Sequence, residues 1–458
     1  MNREISQLLN YGLKNGMIEE ADIVYAANRI LNIIGEDVFE YCETESDKNI
    51  EDILKPLLDA AVRNGKLIDT ITERDIMSAD IMDIMTPMPS VFNSIFKEKY
   101  NENPKTATDY FYKLSKDNNY IMTQRINKNI VWQSKSEKYG HLDITINLSK
   151  PEKDPRDIAK AKEQKQTGYP KCLLCKENVG YEGGGNHPPR SNHRIVPVNL
   201  NGEDWYLQYS PYGYYNEHCI LLCGEHRPMA ITRRTFENLL DFVEKYPHYF
   251  MGSNADLPIV GGSILTHDHY QGGNYEFPMA KCPFKFKVSF DGFSDVEAGV
   301  VEWALSTIRL SADNKERLIE LADKILSAWR EYTDEENEIL AYSDGEPHNT
   351  ITPIARMRDG KFELDLILRN NRTSEEHPMG IFHPHSEYHY IKKENIGLIE
   401  AMGLAVLPPR LTTQFGELTD KVKEDIGNVF GKILENCGVF KDTEQGNEGI
   451  KKFAASVK

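Results

Sequence analysis

The hydrophobic period changes near residue 130 of this chain, and that change limits the possible folds more than any other feature of the sequence. Before it, Ile23, Ala27, Ile30 and Ile34 recur at spacings of four, three and four, which places them on one face of a helix. A second apolar run, from Ile53 to Val62, stops at Asn64-Gly65, a pair that commonly closes a helix. After the change, Leu142, Ile144, Ile146 and Leu148 alternate with polar residues, as in a strand with one buried face. Further strands are expected at 218–223, 285–290, 362–368 and 404–407, with helices at 234–245 and 314–332. A helical front followed by strands mixed with helices is an α+β pattern. The methionines Met77, Met82, Met85 and Met88 are expected to fill core space rather than line a cofactor groove. The segment 150–167 is rich in Lys, Glu and Asp and reads as a solvated connection.

Composition excludes several functional classes. At 458 residues the chain is long enough for two or three folded units. Its formal charge of -17 repels the phosphates of a polynucleotide and argues against general nucleic-acid binding. No run reaches the roughly 18 apolar residues of a membrane span, and the first residues, Met1 to Ile5, lack the apolar core of a secretory signal. Seven cysteines, an odd number, fit reduced thiols and a metal site better than a disulfide framework. The expected compartment is the cytoplasm.

The chemistry concentrates in segment 256–273, DLPIVGGSILTHDHYQGG. Two histidines, His267 and His269, stand two residues apart. On an extended strand they share a face, so one can be anchored while the other meets a substrate. The glycine pairs Gly261-Gly262 and Gly272-Gly273 permit close backbone approach, and N–H groups there can receive phosphate oxygens. A neutral imidazole attacks phosphorus without a base to deprotonate it, so a histidine suits a two-step nucleotidyl transfer. Gln271 and Ser263 are the nearest candidates to donate to the phosphoryl oxygens.

This segment resembles galactose-1-phosphate uridylyltransferase of the second, bacterial class, in the histidine-triad superfamily, although Thr266 stands where that pattern usually has serine or alanine. The resemblance runs from about Tyr169 to Arg410. It implies that His269 is the uridylylated nucleophile, that Gln271 bonds the transferred phosphoryl group, and that UDP-glucose and galactose-1-phosphate are the substrates, with no organic cofactor. It further implies a duplicated α+β unit with antiparallel sheets and flanking helices, a helical N-terminal extension, and a homodimer. The chain then divides into a helical extension (1–120), a first half carrying Cys-x-x-Cys (121–245), a second half with His-x-His-x-Gln (246–430) and a tail (431–458).

The pair Cys172 and Cys175 has the spacing of half a tetrahedral zinc site. By the resemblance, His226 and His267 complete it, giving a closed structural site beside the nucleophile. Cys219 and Cys223 are expected to be small buried residues instead. A second metal site of the better-known class is expected to be absent or altered, because segment 362–367 has no histidine. The run His383 to His389 looks like part of the family's substrate-binding region. Lys393 occupies the place of a sugar-phosphate-binding lysine, with Leu398 where a tyrosine is usual. Asn199, Asn201, Asp204 and the aromatic run from Trp205 lie where the family binds uridine. Alternatives are a nucleotide-sugar or dinucleoside-polyphosphate phosphorylase using the same histidine, a hydrolase, and a non-enzymatic zinc module. Protection of the intermediate from water disfavours the hydrolase, and the acidic charge disfavours a nucleic-acid-binding zinc module.

Overall fold

The computed structural model describes residues 1–44, 48–136, 138–149, 168–184, 187–262 and 264–458. The charged connection at 150–167 and Ser263 therefore lie outside the described residues. The chain forms two units, one of Met1–Lys128, Ser149–Val198 and Trp205–Gly213, the other of Asn129–Leu148, Asn199–Asp204 and Tyr214–Lys458.

The first unit is built on helices, as the period of its apolar residues requires. Its longer ones span Asn2–Lys14, Ile23–Ile34, Ile50–Arg63, Ile71–Asp83, Pro89–Glu102 and Pro104–Asp117. Ala27, Ile30 and Ile34 form a buried stripe, while Ile23 at the helix start is half-buried. Helix starts are fixed by side chains that accept orphan N–H groups: Asn49 from Asp52, Thr70 from Glu73 and Asn103 from Lys105. The second helix ends at Gly35, whose φ of 74° suits a residue without Cβ. Phe92, Phe96 and Phe111 pack together, and Phe111 meets Tyr209 at 4.7 Å between ring centroids. Each fully buried ring of this kind contributes about 1.5–3 kcal/mol. Met82 and Met85 fill core space as expected, but Met88 is 67% exposed because it stands before the first turn of the next helix.

The second unit holds most of the strands. A hairpin of β1 (Ile130–Ser136) and β2 (Gly140–Ile146) is antiparallel. Next in the chain come β3 (Val196–Leu200) and β4 (Glu203–Tyr209), whose connecting turn, with Asn201 at φ 50° and Gly202 at φ 86°, belongs to this unit. Then follow β5 (Cys219–Cys223), helix Arg233–Lys245, β6 (Phe250–Gly252), β7 (His269–Gly273), β8 (Phe284–Val288), β9 (Glu297–Val301), β10 (Thr307–Ala312) and helix Lys315–Arg330. A small hairpin of β11 (Tyr342–Ser343) and β12 (Glu346–Pro347) precedes the long β13 (Asn349–Arg358) and β14 (Lys361–Asn370), and β15 (Leu404–Leu407) pairs parallel with β2.

Strands of this unit lie side by side in the order β5-β7-β6-β13-β14-β10-β9-β8. The order exposes a duplication. A strand, a helix and two further strands occur twice, as β5 to β7 and as β10 to β14, and each copy orders its strands first, last, middle: β5-β7-β6 and β10-β14-β13. The copies join through β6 and β13, where Gly252 faces Ile354 and Met251 faces Ala355. The fold is α+β with antiparallel pairing throughout this sheet, in line with the expectation.

One local reading needs correction. Strand β2 is buried on both faces, with Asp143 and Thr145 as inaccessible as Leu142, Ile144 and Ile146. Asp143 tolerates burial because Gln133 and Tyr275 donate to its carboxylate at 2.9 and 2.7 Å. Segment 362–367 carries buried ion pairs. Asp365 binds Arg309 at 2.6 Å and Arg356 at 2.8 Å, and Glu363 also pairs with Arg356. Burial alone would raise the Asp365 carboxyl, but the two guanidinium groups outweigh it and hold its pKa below the ordinary carboxylate value.

Candidate active site

His269 opens β7, and the residue is 5% exposed. Its Nδ1 lies 2.8 Å from the carbonyl oxygen of His267. A carbonyl only accepts, so Nδ1 carries the proton and Nε2 keeps its lone pair. Burial lowers the pKa of the ring to about 4, partly offset by that hydrogen bond, so the imidazole is neutral at ordinary pH. A buried neutral ring with a fixed tautomer is a pre-oriented nucleophile.

His267 does not lie on the strand, contrary to expectation. It sits in the bend before β7 and is 1% exposed. The reason is a set of backbone bonds that tie this bend to segment 223–229: Cys223 N–H donates to Asp268, Asp268 N–H to Arg227 and Met229 N–H to Leu265. The Asp268 carboxylate adds an ion pair to Arg227 at 3.4 Å, and Arg227 reaches Glu203 at 3.0 Å. His267 Nε2 donates to the Cys223 carbonyl at 2.8 Å. The His226 ring lies 4.9 Å from it between centroids.

In the first unit, the Cys172 and Cys175 sulfurs are 3.6 Å apart and neither is in a disulfide. Burial pushes the Cys172 thiol up to about 11, so a thiolate there needs a cation to hold it. Cys172, Cys175, His226 and His267 together form a set that can hold a metal ion. Two thiolates and two imidazoles are a zinc-type donor set, and the second bond of His267 is the anchoring such ligands need, so the residues fit that metal. Cys219 and Cys223 are buried on β5, as small strand residues should be.

Gln271 stands two residues after His269 on β7 and so shares its face. The glycines lie in tight packing. A Cβ on Gly261 would come within 2.4 Å of the Ala255 carbonyl, one on Gly262 within 2.7 Å of Asn254, and one on Gly272 within 2.3 Å of the Phe250 carbonyl. Protein fills the space their missing side chains leave, so these glycines serve close packing of the loop and of β6 against β7. Lys393 is exposed, whereas neighbouring Lys392 is buried and paired with Glu400 at 2.5 Å. Of the histidines after residue 382, His383 bonds Asn395, His389 bonds the Pro384 carbonyl, and His385 reaches Asn436 at 3.2 Å. Trp205, Leu207 and Tyr209 are core, and Asn201 is bonded to Asn238.

Two residues near the site carry no signal in the sequence. Asn254 is 4% exposed, packs against Gly262, and accepts from Leu398 N–H at 2.9 Å, tying the glycine loop to the later segment. His218 reaches Gln271 across the sheet at 3.2 Å. Only the register of β5 on β7, with Ile220 opposite Gln271, brings them together. In the first unit, a cavity of about 300 Å³ lined by Tyr120, Arg125, Leu173, His187, Arg190 and Tyr212 also escaped the sequence reading.

Residues 16–228 match the N-terminal domain of galactose-1-phosphate uridyl transferase, and residues 241–433 match its C-terminal domain. The galactose-1-phosphate uridylyltransferase of Clostridium acetobutylicum is 55% identical over 99% of each chain, and that of Clostridium perfringens strain 13 is 49% identical over 100% of this chain and 99% of its own. A solved yeast Ap4A phosphorylase superposes with a TM-score of 0.41 at 10% identity, over 76% of this chain and 97% of that one. With both domain profiles matched and half of all positions shared end to end, the chain belongs to the galactose-1-phosphate uridylyltransferase family.

Proposed function

We propose that this protein is a nucleotidyltransferase that moves UMP from UDP-glucose to galactose-1-phosphate through a covalent bond to His269. The observation that carries the reading is the 2.8 Å bond from His269 Nδ1 to the His267 carbonyl, which commits the proton to Nδ1 and presents Nε2 as the nucleophile. In the first step Nε2 attacks the α-phosphorus, the bond to the bridging oxygen breaks, and glucose-1-phosphate leaves with that oxygen. In the second, a phosphate oxygen of galactose-1-phosphate attacks the same phosphorus, the P–N bond breaks, and UDP-galactose leaves with the imidazole restored. The Gln271 amide is placed to donate to a phosphoryl oxygen in both steps, worth about 10²–10³ in rate for a donor of this kind.

Cys172, Cys175, His226 and His267 would hold zinc, which would supply structural support rather than reaction chemistry. It would hold the bend from which β7 starts, and with it the carbonyl that sets the tautomer of His269. Gly261 and Gly262 N–H groups, Ser263 and Lys393 are the proposed contacts to the phosphates, and the division at residues 120, 245 and 430 is the proposed domain plan. The cytoplasm is the proposed compartment. A homodimer is the proposed assembly, checked by sedimentation of the purified protein.

Isotope exchange tests the reaction. Enzyme incubated with UDP-glucose and labelled glucose-1-phosphate, without galactose-1-phosphate, should transfer label into UDP-glucose, because the first step is complete and reversible by itself. Exchange that requires galactose-1-phosphate would exclude the covalent route. Release of the nucleotide to inorganic phosphate as the main reaction would favour a phosphorylase.

A further inference from the structure

We propose that His218 is a positioning residue that fixes which end of the Gln271 amide faces the reacting phosphorus, a role that rests on the uridylyl-transfer reading of His269. His218 immediately precedes β5 and is 4% exposed. It stands two residues before Ile220, which faces Gln271 directly, so His218, Gln271 and His269 project from one face of the sheet. Its Nε2 lies 3.2 Å from Gln271 Oε1.

The two ring nitrogens differ. Nδ1 is buried without a hydrogen-bond partner among the described residues. A proton there would be a buried donor with nothing to receive it, a costlier state than a buried lone pair. Proton occupancy therefore falls to Nε2, which donates to Oε1 of Gln271. That turns the amide N–H₂ toward the face shared with His269, where negative charge gathers on the phosphoryl oxygens. The opposite tautomer would turn the carbonyl oxygen there and repel that charge.

The ring cannot readily turn over to exchange its nitrogens. Tyr215 lies 4.5 Å from it and Tyr214 5.5 Å, centroid to centroid, and Tyr215 is itself locked by donating to the Gly272 carbonyl at 3.0 Å. Burial also lowers the pKa of His218 to about 4. His218 and Tyr215 thus bond consecutive residues of β7, one through a side chain and one through the backbone.

The test uses the full-length enzyme with UDP-glucose and reads the single-turnover rate of uridylyl-enzyme formation beside the affinity for UDP-glucose. His218→Phe keeps the ring stacking and removes the donor; His218→Gln puts an amide N–H near the place of Nε2. The Phe variant should lose about 10–100-fold in rate with little change in affinity, as is usual when an orienting partner is removed, and the Gln variant should recover most of it. In a Gln271→Ala background, His218→Phe should cost almost nothing further, because the two residues act as one. An undiminished Phe variant, or a full-sized loss in the Gln271→Ala background, overturns the role of His218 alone. Absence of any adduct in the wild-type enzyme overturns the reading of the site and this role with it. Nitrogen-15 spectra of histidine-labelled wild-type protein read the tautomer without a substitution: Nε2–H on His218 supports the proposal and Nδ1–H overturns it.

Discussion

Buried neutral histidines give this protein a definite response to acid. Burial pushes His218 down to about 4 and His193 well below the ordinary histidine value. Between pH 6.5 and about 4, the unfolded chain binds a proton at His218 that the folded chain refuses, so stability is present above this window and drains away as pH falls through it. The loss from His218 reaches about 3 kcal/mol once the window is crossed. Urea unfolding at a series of pH values should show this, and His218→Phe should flatten the slope; an unchanged slope would contradict the assignment. At this scale the sequence was legible wherever the chemistry lay within one segment. His269 and Gln271 stand two apart, and strand geometry alone sets them on one face. His218 and Asn254 were not legible, because their partners arrive through cross-strand register and loop closure.

Among the elements, the cluster on β10, β13 and β14 makes a sharp prediction. Asp365 is fully buried and bonded to both Arg309 and Arg356. Asp365→Ala leaves two buried guanidinium groups short of a partner and should cost about 3–5 kcal/mol, measured by urea unfolding. A loss under about 1 kcal/mol, the worth of an exposed pair, would mean that these charges are solvated. Strands β5, β8, β14 and β15 and the helices Arg233–Lys245 and Lys315–Arg330 fall within a residue or two of the positions their periodicity indicates. Strand β13 escaped because Pro353 reads as a breaker in the middle of its apolar run. The carbonyl of Pro353 still receives Ser253 N–H at 3.0 Å, so the strand keeps a bond to the chain that leaves β6.

For the molecule as a whole, the acidic surface and the metal set act in different ways. A charge of -17 would leave recognition of the proposed anionic substrates to local donors, for which backbone N–H groups and the Gln271 amide are proposed. Zinc bound to the Cys/His set would couple metal content to folding. Purified protein should contain about one zinc per chain, Cys172→Ser should lower that content, and a chelator should lower the thermal midpoint; equal zinc in both proteins would remove Cys172 from the ligand set. Apolar periodicity gives the mixed class and strand order shows the duplication, whereas the proposed reaction depends on one imidazole. The most direct test is mass analysis of peptides from enzyme incubated with UDP-glucose. The account predicts a mass increase of one UMP on the peptide containing His269, removed by galactose-1-phosphate and never formed in His269→Asn. UMP on another peptide, or transfer at the wild-type rate by His269→Asn, would contradict it.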